Sequence, residues 1–142
     1  MSPDEFNRRI ESFLVAMRKQ LKEALTEVLE QMAEYARSYH PYKDRSGALT
    51  RSIHAEVNDL RGNLLSARFI ADAPYASEVE YGTSPHQVAS PVYLKGVGWR
   101  YIEVHPGAPP RPFMRPALEA HRGGLPTVLE QSLLSAAREV DL

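Results

Sequence analysis

The chain contains no cysteine. That excludes a disulfide scaffold, thiol catalysis and a cysteine-ligated zinc site, and it fits assembly in a reducing cytoplasm. No apolar run approaches the roughly 20 residues that a membrane-spanning helix needs. Asp4 and Glu5 interrupt the start of the chain, so no signal peptide is expected there. Net charge is nearly absent: 17 basic against 18 acidic residues leave −1, so no global field draws the protein onto nucleic acid or membrane. What remains is ordinary, with 43% hydrophobic and 25% charged residues in 142. This is the balance of one soluble domain, 1–142, with enough chain to bury a core.

The usual marks of chemistry are missing too. There is no Gly-x-Ser-x-Gly and no phosphate-cradling Gly-x-x-x-x-Gly-Lys. The five histidines, His40, His54, His86, His105 and His121, do not fall at the spacings of a helical metal site. Gly96-Val97-Gly98 reads as a tight turn. Asp44 and Ser46, beside Gly47, suit the capping of a short helix better than nucleophilic catalysis. Glu78 and Glu80 stand two apart on a helical segment, so their carboxylates diverge. The expectation is a protein that is not an enzyme and has no metal or cofactor.

What the chain does have is proline. Five of its eleven prolines lie between Pro106 and Pro116. Each fixes its own φ, removes a donor and biases the residue before it away from helix. The stretch from His105 to Pro116 is therefore read as a stiff extended arm with little entropy to lose on docking. Phe113 and Met114 form its apolar tip, with Arg111 and Arg115 on either side. Phe113 has two readings: an anchor in a protein interface, or a core residue beneath the last helices. Pro116 suits the first turn of a helix.

Periodicity supplies the remaining elements. Phe6, Ile10, Phe13, Met17, Leu21, Ala24, Val28, Met32, Tyr35 and Tyr39 recur at helical steps, predicting one long amphipathic helix over about 3–39. Ser2 can cap it and Pro3 suits its first turn. Such a helix is about 50 Å long, so it either lies across a sheet or reaches a neighbouring subunit. A short turn over 48–51, strands over 52–58 and 64–71 around a Gly62 loop, and a helix over 75–81 closed by Gly82 follow. Thr83 to Val92 reads as loop, and 92–95 with 99–104 as a second hairpin. After the arm come a helix over 117–122, broken at Gly123-Gly124, and a final helix over 126–140. In that last helix Val128, Leu129, Leu133, Ala136 and Val140 are expected to face inward. The fold class is α+β: a long N-terminal helix, an antiparallel sheet of about four strands over roughly 52–104, a short middle helix and C-terminal helices over about 117–140.

Three segments, taken in order, resemble a known family. They are Arg45-Ser46-Gly47-Ala48-Leu49-Thr50-Arg51-Ser52-Ile53, then Ala73-Pro74-Tyr75-Ala76-Ser77-Glu78-Val79-Glu80-Tyr81-Gly82-Thr83, then Pro106 through Leu118. Together they are similar to the tail-completion or neck proteins (head–tail joining, minor tail) of long-tailed double-stranded DNA bacteriophages. The resemblance spans roughly Tyr35 to Leu118. It implies a structural virion protein, assembled in the host cytoplasm, forming a homo-oligomeric, hexameric ring at the neck. Its implied partners are head connector or stopper proteins on one side and tail terminator and tail tube proteins on the other, with DNA passing only transiently through the lumen and no membrane. Tyr75, Glu78, Glu80, Tyr81, Arg111, Phe113 and Arg115 are the candidate interface residues. The alternatives are the tail terminator or head stopper of the same neck, or a small nucleic-acid-binding protein using Lys43, Arg45, Arg51, Arg111, Arg115 and Arg122 on phosphates.

Overall fold

The computed structural model of the chain describes residues 1–62, 64–87, 92–100 and 104–141. Helix α1, Pro3–Ser38, begins as its sequence requires: Ser2 Oγ accepts from the Glu5 amide at 3.2 Å, with Pro3 in the first turn. It ends where Tyr39 becomes extended ahead of Pro41. Its 36 residues make it the longest element, and half of the others pack against it.

A short helix α2, Ala48–Ser52, leads into strands β1, Ile53–Asp59, and β2, Leu65–Ala71, which pair antiparallel from Ile53 opposite Ala71 to Asp59 opposite Leu65. Two arginines of α1 hold this hairpin at opposite ends. At its base, Arg37 Nε and Nη2 both donate to the Ile53 carbonyl, at 3.0 and 2.8 Å. At its tip, the Arg18 guanidinium donates to the carbonyls of Gly62 (2.6 Å) and Leu60 (2.8 Å) and to Asp59 Oδ1 (3.1 Å). Lys22 completes the clamp on Asp59 at 2.7 Å. The lengths match: the helix rises about 28 Å from Arg18 to Arg37, and seven strand residues span about 24 Å.

Helix α3, Ala76–Tyr81, ends at Gly82, and three short strand pairings follow it. Strand β3, His86–Gln87, pairs with β6, Val104–His105; strand β4, Val92–Leu94, pairs with β5, Gly98–Arg100. An isolated bridge joins Thr83 to Ala108. The expected sheet of about four strands is therefore corrected. Among the described residues the strands form separate two-stranded pairs, and β3 lies where the sequence suggested loop. The physical cause is short ladders. Pro85 and Pro106 flank β3 and β6 and cannot donate, while β4 and β5 leave Tyr93 and Trp99 exposed rather than buried against the first hairpin. The parts of the second hairpin and its approach at 88–91 and 101–103 lie outside the described residues.

Helices α4, Met114–Arg122, and α5, Leu125–Glu139, close the structure against α1. The main core gathers Ala33 and Ala36 of α1 with Tyr42, Leu49, Ile53, Ala76, Phe113 and Ala117; a second cluster joins Val28, Leu29 and Met32 to the β1–β2 hairpin and the start of α5. The expected inward face of α5 holds in part: Ala136 is buried and Val128 packs on the second cluster, but Leu129 and Leu133 are exposed and Ser132 is buried in their place. Small residues, including Ala16 of α1, let the two helix backbones approach closely, and the leucines are turned to the rim.

Two outcomes are expected. Arg18→Ala should lower stability by about 1 to 2 kcal/mol and speed amide exchange at the hairpin tip, read by denaturant unfolding and hydrogen exchange. His54, in β1, has its pKa raised, first by its bond to the Ser52 carbonyl and then by Glu56 and Asp72. Its contribution is complete below the ordinary histidine value of about 6.5 and fades as pH rises through the folded value. His54→Gln should flatten the decline in unfolding free energy between about pH 6 and about pH 8.

Candidate functional site

One cleft of about 600 Å³ lies between the loop before α2, helix α3 and the proline segment. All three segments singled out in the sequence reach it. Leu49, Val79 and Pro109 supply apolar wall, Tyr42 and Tyr75 aromatic wall, and Lys43, Arg45, Glu78 and Arg111 charge.

Tyr42 ties the cleft to the core. Its ring stacks on His40 with centroids 3.9 Å apart and meets Phe113 edge-on at 5.1 Å. The His40 ring also bonds to the Tyr42 carbonyl at 2.8 Å and faces Asp44 at 3.2 Å. Thr50 donates its hydroxyl proton to Asp44, so the Tyr42 hydroxyl must donate to Thr50 Oγ1, 2.7 Å away. Burial pushes the Tyr42 phenol above its ordinary value, which keeps that proton in place. Asp44 thus serves this network rather than a helix cap. Ser46 Oγ, one residue before the cap position, accepts the Ala48 amide at 3.3 Å, and Gly47 is the N-cap and turns the corner at φ +78°.

The opposite wall is main chain locked to main chain. Thr83 and Ala108 exchange amide–carbonyl bonds of 2.9 and 3.0 Å, and the Arg111 amide donates to the Val79 carbonyl at 2.8 Å. At Gly82 (φ +74°) and Gly107 (φ +85°) the two segments pass so closely that a Cβ would strike the other's backbone: one placed on Gly82 would lie 2.7 Å from the Ala108 carbonyl oxygen, and one on Gly107 would meet the Thr83 carbonyl oxygen. The proline stretch is therefore extended, as its composition requires, but it is not a free arm. It docks on its own α3, leaving Pro109, Pro110 and Arg111 exposed along the outer edge.

The candidate interface residues divide. Tyr75, Glu78 and Arg111 line the cleft together. Tyr81 is 78% exposed but stands apart from it, and Arg115 is exposed on α4. Phe113 is corrected from arm tip to core: it is 1% exposed, in the middle of the main cluster. Glu80 is corrected from seam to support. It is 8% exposed, and its carboxylate accepts the amides of Phe113 (2.8 Å), Met114 (3.0 Å) and Arg115 (2.9 Å). These are the orphan donors at the start of α4, and the negative charge sits at the positive end of the helix dipole. This cap lets α4 begin at Met114, earlier than its sequence suggested. One signal did point to it: no Ser, Thr, Asp or Asn precedes that helix, since Phe113 occupies the cap position. A helix start that is buried without a local cap is satisfied by an acceptor from elsewhere in the chain.

Among the described residues, no three His, Asp or Glu side chains gather to hold a metal, and no helix is long and apolar enough to cross a membrane. The family model for HK97-gp10-like proteins, described as "Bacteriophage HK97-gp10, putative tail-component", matches residues 4–82. That is more than half of the chain, from α1 through Gly82. No curated protein and no solved structure matches it.

Removal of the Glu80 carboxylate is expected to loosen the whole wall. Glu80→Ala should cost about 2 to 3 kcal/mol, and Glu80→Gln less, because an acceptor oxygen remains. Denaturant midpoints of the two variants check the order.

Proposed function

The chain belongs to the HK97-gp10-like family of bacteriophage tail components, and from that membership we propose that it is a non-enzymatic virion protein that completes the tail and joins it, as a ring, to the DNA-filled head. The observation that carries this reading is the cleft. The three segments that resemble neck proteins lie far apart in sequence and converge on one surface. That surface is stiff where a joint must be stiff: the Thr83–Ala108 bridge, the Gly82–Gly107 crossing and the Glu80 cap hold its backbone before any partner arrives. Pre-ordered surfaces lose little entropy on association. Its exposed aromatic and arginine groups, Tyr75 and Arg111, are of the kinds that dominate protein interfaces. The partners of such a joint are other virion proteins, with the head connector or stopper on one face and the tail terminator and tube on the other.

Negative-stain electron microscopy of lysates from a phage or prophage carrying a nonsense mutation in this gene tests the reading. DNA-filled heads beside unattached tails are expected. Intact, infectious particles would remove the protein from the joint.

A further inference from the structure

Two surfaces of the protomer carry an excess of opposite charges that form no ion pairs among the described residues. The first is the cleft. Lys43, Arg45 and Arg111 point three cations at it and, among the described residues, none of them makes an ion pair. Of the acids there, Asp44 is committed to His40 and Thr50, which leaves Glu78 alone against the three. The second surface is the outer face of α1. Glu23, Glu27 and Glu30 succeed one another at steps of four and three, all exposed and none of them in an ion pair among the described residues, with Lys19 one turn before Glu23. The one lysine between Glu23 and the hairpin, Lys22, is spent on Asp59. Like charges at this spacing oppose the helix by about 0.2 to 0.5 kcal/mol per pair, a cost that a facing cationic surface removes.

We propose that the occupant of the cleft is a second copy of this chain, which lays the Glu23–Glu27–Glu30 face of its α1 across the mouth and sends those carboxylates to Lys43, Arg45 and Arg111. This rests on the ring reading above and names the seam of that ring. The dimensions agree: Glu23 to Glu30 rises about 10 Å, and a helix about 10 to 12 Å across lies over the opening rather than inside it. Tyr75, Leu49 and Pro109 then shield the ion pairs from water, the arrangement in which charge pairing contributes to specificity. The two surfaces are different, so the contact is heterologous. Repeated head to tail, such a contact builds a ring where its rotation closes, and not a two-fold dimer.

Charge exchange tests the seam, with light scattering to read the assembly state and circular dichroism to check the fold. Lys43→Glu with Arg45→Glu and Arg111→Glu should abolish assembly, as should Glu23→Lys with Glu27→Lys and Glu30→Lys. An equimolar mixture of the two variants, each incompetent alone, should assemble again. Because the chain has no cysteine, Glu27→Cys with Arg45→Cys provides an independent reading that leaves the other charges in place. Mild oxidation of purified particles carrying this variant should give a ladder of disulfide-linked oligomers. Assembly that survives both reversals, or particles that yield no ladder, would overturn the seam. The lysate microscopy is independent of it, so a misplaced seam and a misplaced protein give different results.

Discussion

The carboxylate of Glu80 connects the two halves of this protein. It leaves one short helix and ends on three amides at the start of another, 33 residues later in sequence for the first of them. Without that acceptor the first turn of α4 would bury unpaired donors, and the turn carries Phe113 into the core between α1, Tyr42 and Ala117. The Phe113 ring in turn braces Tyr42, and Tyr42 holds the loop that forms the other side of the cleft. One charge–dipole contact thus sets the separation of the cleft walls. The residues that look most like contact groups in the sequence, a glutamate and a phenylalanine, act behind the surface so that others can act on it.

Helix α1 supplies the second constraint, one of length. Arg18 and Arg37 grip the hairpin at its two ends, so strand and helix must run alongside each other at matched length. The hairpin needs no further strands to be stable, because its partner is a helix. That explains why the additional strands pair among themselves and stay short.

Local signals made much of the architecture legible. Ser2 and Pro3 mark the start of α1, Gly82 the end of α3, and alternation through Ile53, Ala55 and Val57 the first strand. The cleft was legible only as three separate segments. Their meeting depends on contacts across tens of residues, which no periodicity encodes. Phe113 shows the limit: an aromatic residue between arginines and prolines suits an exposed anchor and a buried core equally well, until the partner of the neighbouring amides is known. The inward face of α5 has a similar cause. Apolar spacing predicts Leu129 and Leu133 inside together with Ala136, but only Ala136 is buried, with the small Ser132 one turn before it, where α5 packs on α1. Packing distance overrides hydropathy there.

The crossing of Gly82 and Gly107 has a genetic consequence. Most packed positions are set by side chains, so an enlargement on one side can be compensated by a reduction on the other. Here each glycine is confined by peptide atoms of the opposing strand, the Ala108 carbonyl and the Pro110 nitrogen on one side and the Thr83 carbonyl on the other. Peptide atoms are the same whatever residue stands there. No reduction of a facing side chain can therefore suppress the loss of either glycine, and the two codons are fixed by the path of the chain rather than by their neighbours' identity.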